Sequence, residues 1–210
     1  MRKFLIPISA VTLILLIYAF SGSKKLGTTD EANSPVRWIG FEQAVEKAKK
    51  NPKPILIDIY TSWCGPCKMM SYTTFGNEQI AKYLNDNYYC VKFDAETHDT
   101  IKVMLNSRDS VLNVDGKTKK LVETPREFVF VNPAPVGTPR AAHQFAASIL
   151  DGQLSYPSIV FLSPQIQRIN LIKGYHPPNQ FEPIMKYIGS GAWQKQKYEE
   201  YLKTFISEFK

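Results

Sequence analysis

The hexapeptide Trp63-Cys64-Gly65-Pro66-Cys67-Lys68 constrains this chain more than any other stretch, because it stands directly after the apolar run Ile55-Leu56-Ile57-Asp58-Ile59-Tyr60. Two cysteines two residues apart, between a strand-like run and a helix-like run, form a local dithiol. It can close into a small disulfide ring and be reopened by an approaching thiol. The chemistry asks for an exposed, partly ionised first thiol, because the thiolate is the attacking species. A helix N-terminus favours the thiolate through its unpaired N–H groups and its positive dipole end. The second thiol must lie near enough to attack the mixed disulfide and release the substrate. Gly65 permits the tight turn, and Pro66 lacks the N–H that a first helical turn would leave unpaired.

Two other uses of a cysteine pair compete with this one. Zinc needs about four N or S ligands, and only Cys90, His98, His143 and His176 remain, singly and far apart in the chain; no metal is expected. Inert core cysteines would not need Trp, Gly, Pro and Lys around them. The string resembles the active site of the thioredoxin family residue for residue. That resemblance implies an α/β fold, a thioredoxin-like α/β/α sandwich, with Cys64 attacking, Cys67 resolving and no cofactor beyond the dithiol. It also gives Asp58, six residues before Cys64, the role of taking the proton from the second thiol. Asp58 interrupts an otherwise apolar strand, where a carboxylate is costly without a partner or a raised pKa. An Asp near a strand end that reaches water is the plainer reading.

The rest of the chain is organised around this unit. Arg2-Lys3 precede an uncharged apolar stretch from Phe4 to Phe20, with Ala19 and Ser21 offering a small-x-small cleavage site. Residues 1–21 are therefore a cleaved signal peptide or an uncleaved membrane anchor, and either exports the domain. Residues 22–35 read as a flexible linker. A thioredoxin-like domain is expected over 36–190 and a C-terminal helix over 191–210, with Tyr198, Tyr201, Leu202, Phe205 and Phe209 on its apolar stripe. The chain is 44% hydrophobic and 21% charged, a globular rather than a disordered mixture. Its net charge of +7 is scattered, two of the charges being Arg2 and Lys3, so nucleic-acid binding is not expected.

Within the domain, Phe41, Ala44, Val45 and Ala48 recur at helical spacing, and Asn51-Pro52 ends that helix. Gly76-Asn77 breaks the helix after the motif, with Asn77 as N-cap of the next. The segment Thr74-Phe75-Gly76-Asn77, followed by Ile80, is similar to the C-terminal periplasmic domain of the transmembrane disulfide reductase. Tyr88–Phe93 is a strand that carries Cys90, read as a small buried hydrophobe; a third redox thiol is the alternative. Lys92 matches a family lysine near the buried Asp, in a register ambiguous by two residues.

From 97 to about 152 the minimal family pattern gives way to an inserted subdomain. Asp115-Gly116 signals a hairpin between Ser110–Val114 and Lys117–Val122, Phe128–Val131 is a further strand, and Thr138-Pro139 opens a helix through Leu150. The family pattern returns at Tyr156-Pro157, where the resemblance implies a cis proline facing the dithiol; a trans proline opening the strand Ile159–Leu162 is the alternative. A strand at Ile169–Ile172 precedes a helix carrying Phe181, Ile184, Met185 and Ile188, reciprocally capped by Asn179 and Glu182.

Taken together, these readings describe a thiol–disulfide oxidoreductase that reduces protein disulfides in the periplasm or cell envelope. Trp63, Gly65, Pro66, Tyr156 and Pro157 form its docking surface. Its expected partners are disulfide-containing envelope proteins and, as electron donor, a membrane thiol–disulfide reductase. The competing reading is a holdase or assembly factor whose insertion grips a partner while the dithiol is incidental.

Overall fold

The computed structural model describes residues 34–112 and 119–209, with the backbone alone over 107–112 and 119–123. The expected leader, most of the linker and the Asp115-Gly116 turn lie outside the described residues. No helix among the described residues is long and apolar enough to cross a membrane.

The first half builds a parallel unit. It runs from β1 (Trp38–Ile39) and α1 (Phe41–Lys50) to β2 (Ile55–Tyr60), then α2 (Gly65–Thr73), α3 (Glu78–Asn87) and β3 (Tyr89–Asp94). Helix α1 buries the expected stripe of Phe41, Ala44, Val45 and Ala48. Strand β2 is covered on both faces, which is why it reads as a nearly continuous apolar run. Ile55, Ile57 and Ile59 pack with the α1 stripe, whereas Leu56 packs on the opposite side with Met70 of α2 and Ile80 and Leu84 of α3. β3 starts one residue later than the sequence suggests, because the Tyr88 N–H closes α3 on Leu84 O.

The break after α2 has a steric cause. A side chain at Gly76 would place its Cβ 2.2 Å from the Tyr72 carbonyl oxygen, so the chain turns there only as glycine. Asn77 then caps α3 as expected, its side-chain oxygen accepting from Gln79 N (2.9 Å) and Ile80 N (3.1 Å).

The insertion leaves from the end of β3 as a long hairpin of β4 (Ile101–Leu112) and β5 (Lys119–Phe130), paired antiparallel from Ile101↔Phe130 to Leu112↔Lys119. The two short strands expected on its return side are one strand, which runs through Pro125 opposite Asn106. A two-stranded ribbon has only edge strands, and an edge tolerates the missing N–H. The base of the ribbon has no core of its own. Ile101 and Val103 join the cluster of Ile57, Phe145 and Leu150, with Phe128 and Phe130 packed against it.

The helix expected from Pro139 is the shorter α4 (Gln144–Ile149). Residues before it turn through Gly137 (φ 89°) and Arg140 (φ 57°), conformations that no helix can contain. Buried His143 sets the start, its Nδ1 accepting from Phe145 N at 3.0 Å.

The chain then re-enters the sheet with β6 (Ser158–Leu162) and β7 (Arg168–Lys173), followed by α5 (Pro178–Gly189). The strand order is β1-β3-β2-β6-β7; the first three are parallel, β6 is antiparallel to β2 and β7 antiparallel to β6. α1 and α4 cover one face, and α2, α3 and α5 cover the other. Phe75, Phe161 and Phe181 are fully buried on the second side, each stabilising by about 1.5–3 kcal/mol through area removed from water.

Two expectations fail at the C-terminal end. Asn179 and Glu182 do not cap α5, whose N-cap is Pro177 without a side-chain bond. Glu182 is instead buried, and its carboxylate holds the end of the chain: it accepts from Ser207 Oγ (2.5 Å) and Glu208 N (2.9 Å) and pairs with Lys186 Nζ (3.0 Å). The single helix expected over 191–210 is a 3-10 turn (Ala192–Gln194), the short α6 (Tyr198–Thr204) and a non-helical tail. Phe209 on that tail packs against the second core.

Candidate functional site

β2 delivers the dithiol to the end of the sheet. Cys64 N–H bonds Thr61 O at 3.2 Å, and Cys64 becomes the N-cap of α2, with Pro66 in the first turn. The Cys67 backbone N–H points at Cys64 Sγ from 3.1 Å. This is the donor that would stabilise negative charge on that sulfur, supported by the positive end of α2. Cys64 and Cys67 are joined in a disulfide, with their Cα atoms 5.3 Å apart. The exposed first thiol that the sequence suggests is not what this closed form shows: Cys64 is 3% exposed and Cys67 4%. Gly65 and Pro66 between them are exposed.

Asp58 lies on the side of β2 that faces α2. It alternates with Leu56, and its cross-strand neighbours are Lys92 and Ile159. It is 2% exposed, which removes the reading of an Asp at a strand end in water. Its Oδ1 accepts no hydrogen bond from any described residue. Burial pushes the Asp58 pKa up to about 7, against the opposing pull of the Lys92 ammonium. The ambiguous register of Lys92 is thereby resolved. Its Nζ lies 3.4 Å from Ser71 Oγ on α2 and 5.0 Å from the centre of the Tyr60 ring.

The tertiary structure brings Tyr156-Pro157, far along the chain, to the same place. The Tyr156–Pro157 bond is cis, Pro157 is buried, and the Tyr156 ring meets the Trp63 ring edge-on at 6.1 Å. Trp63 is 52% exposed and held in place from other directions. Its indole Nε1–H donates to Glu96 Oε1 at 2.9 Å, and the Arg140 guanidinium sits 5.2 Å from its ring centre. Burial, then the carboxylates of Glu96 and Asp94, raise the Tyr156 phenol pKa above its ordinary value. Glu96 and Arg140 were missed from the sequence. Glu96 sits just past β3, a position from which it could have been suspected, but nothing local marks Arg140.

Cys90 is buried on β3, and burial pushes its thiol pKa up to about 12. It stands in the core as a neutral small hydrophobe. Among the described residues, no three His, Cys, Asp or Glu side chains gather as a metal site.

A five-stranded mixed sheet between helices, with a C-x-x-C disulfide closed at a helix N-terminus, defines the class: a thioredoxin-fold protein that carries a dithiol able to open and close. More particularly, residues 23–127, half of the 210, match the family described as Thioredox_DsbH, "Protein of unknown function, DUF255", and the chain belongs to that thioredoxin-like family. It is 42% identical over 102 residues to spermatogenesis-associated protein 20 of Mus musculus (48% of this chain, 13% of that protein). It is 31% identical over 105 residues to the thiol:disulfide interchange protein DsbD of Campylobacter jejuni (49% and 16%). The thioredoxin of Borreliella burgdorferi is also 31% identical over 105 residues (49% and 88%). The chain thus spans only a small part of the first two relatives and most of the third. Among solved structures, a thioredoxin-fold protein from Helicobacter pylori superposes with a TM-score of 0.50 at 17% identity, covering 73% of this chain and 84% of that one, which shows the fold.

Proposed function

We propose that this protein reduces protein disulfides in the bacterial cell envelope. The observation that carries the reading is the position of the Cys64–Cys67 ring at the N-terminus of α2, with the Cys67 N–H on Cys64 Sγ. In the reduced protein the Cys64 thiolate attacks a substrate disulfide, forms a mixed disulfide and expels one substrate thiolate. Cys67 then loses its proton to the Asp58 carboxylate and attacks Cys64 Sγ. The substrate leaves as a dithiol, and the two electrons it gained leave the Cys64–Cys67 disulfide behind. A carboxyl group with a pKa of about 7 can both accept and return that proton near neutral pH. Trp63, Gly65, Pro66, Tyr156 and Pro157 form the surface on which the substrate segment docks.

Each turnover consumes two electrons, so a donor is needed. A membrane thiol–disulfide reductase fits an exported domain, and the similarity to the DsbD of Campylobacter jejuni supports such a pairing. The apolar stretch Phe4–Phe20 supports export.

Reduction of insulin disulfides by the purified protein, lost in Cys64→Ser, tests the activity. A protein that binds unfolded partners but reduces no disulfide would instead be the holdase. A reporter active only in oxidising compartments, fused after Lys210, tests the location; a signal from a cytoplasm-only reporter would reject it.

A further inference from the structure

The insertion does more than decorate the sheet, because its return segment is built onto the strand end that orients Trp63. Asn132 Nδ2 donates to Ala141 O (2.8 Å) and to Glu96 O (3.4 Å), and its Oδ1 accepts from Ala134 N (3.2 Å). His143 N–H bonds Ala95 O at 2.7 Å, and Val131 N and O are tied to Gln144. These bonds close the loop over residues 131–143 against Ala95 and Glu96. Arg140 stands near its end in the left-handed backbone region, φ 57°, which an arginine adopts only where its surroundings hold it there.

Its guanidinium meets the Trp63 ring at 5.2 Å and makes no hydrogen bond or ion pair among the described residues. Neither Glu96 nor Asp94, which keep their charge, forms an ion pair with it; both accept from neutral N–H donors. The Glu96 carboxylate is engaged by the Trp63 indole N–H, and Asp94 Oδ1 by Glu96 N–H at 2.9 Å. Arg140 is exposed, so a cation with its N–H donors unused stands beside the tryptophan next to Cys64. An arginine fork matches a carboxylate. The net charge of +7 adds long-range attraction of the same sign.

We propose that Arg140 is a specificity-determining residue that selects substrate segments carrying an Asp or Glu beside the disulfide, by pairing with that carboxylate over the Trp63 face. The inference rests on the disulfide-reductase reading given above and adds the substrate class to it.

The test uses the full chain with its dithiol reduced and two cystine peptides that differ in one residue next to a cysteine, Glu in one and Lys in the other. Each kcat/KM is divided by the rate of the same peptide with dithiothreitol, which removes differences in intrinsic reactivity. The corrected ratio, Glu peptide over Lys peptide, is expected to be about fivefold at low salt, the scale of one exposed charge pair gained against one opposed. It should fall towards one in 0.5 M NaCl with the unmutated protein. It should also fall towards one in Arg140→Gln, invert in Arg140→Glu and persist in Arg140→Lys. A ratio of one in the unmutated protein, or a ratio that survives Arg140→Gln, overturns this inference and leaves the reductase reading standing. Failure to reduce either peptide overturns both.

Discussion

Asp58 and Lys92 are direct partners across the β2–β3 ladder, on the face of the sheet that α2 covers. Burial holds the Asp58 carboxyl in its protonated form up to about pH 7, and the Lys92 ammonium keeps the value from rising further. The folded protein therefore binds this proton more tightly than the unfolded chain does, whose Asp ionises near pH 4. The resulting stability is fully present below about pH 4 and lost as pH rises through 7.

In the disulfide form, where the cysteines do not titrate, Asp58→Asn should gain stability over the parent as pH rises from 4 to 8. The pH-dependent part approaches about 4 kcal/mol, three pKa units at about 1.4 kcal/mol each. Urea denaturation at several pH values measures it, and a difference that stays flat with pH would remove the raised pKa. The same variant should slow the release of mixed disulfides between pH 6 and 8 by about 10-fold or more, as loss of a proton acceptor does.

Cys67→Ser should accumulate mixed disulfides with substrate proteins, because its Cys64 thiolate still attacks and nothing resolves the product. Cys64→Ser should accumulate none. Non-reducing gels of cells carrying each variant read the outcome, and capture by the second variant alone would exchange the two roles.

Gly65-Pro66 places no charged side chain between the cysteines, unlike a histidine that would favour the thiolate and so the reduced form. The Cys64–Cys67 couple should therefore lie nearer about −270 mV than about −120 mV, a gap of roughly 7 kcal/mol for two electrons. Titration in glutathione buffers measures it. A potential above about −160 mV would make the protein an oxidant or isomerase.

Glu182 ties the last residues of the chain to α5. Although burial pushes its pKa up, hydrogen bonds from Ser207, Glu208 N and Lys186 outweigh that and hold it below the ordinary value. Its stabilising effect is present above the unfolded pKa and lost as pH falls through the folded one. Glu182→Ala should cost about 3 kcal/mol, since it leaves the Glu208 N–H and Lys186 without their buried partner. Glu182→Gln, which keeps an acceptor for the Glu208 N–H, should cost less. Amide exchange at 207–209 should rise in the alanine variant; unchanged exchange there would deny the carboxylate its part in holding the tail.

The strand Ile55–Tyr60, the stripe of α1, the helix opened by Cys64 and the Asn77 cap are each set by periodicity or by a side chain bonding its own backbone within a few residues. The errors fall where a distant partner decides. Thr138-Pro139 has the form of a helix start, yet the 131–143 loop is bonded to Ala95 and Glu96, which moves the start to His143. Glu182 has the spacing of a cap, but Ser207 and Glu208 claim its oxygens.

The dithiol and the strand–turn–helix that presents it are legible in the chain because they rest on neighbours within about ten residues; the burial of β2 on both faces shows in its unbroken apolar run, although the residues that cover it are distant. Only the folded chain fixes the register that stands Lys92 beside Asp58, the edge-on contact of Tyr156 with Trp63 and the place of Arg140 over the Trp63 ring. The physical reason is that pKa shifts, aromatic contacts and cation–π pairs depend on distances between side chains, and strand register and loop closure set those distances at 34, 93 and 77 residues' remove in the chain.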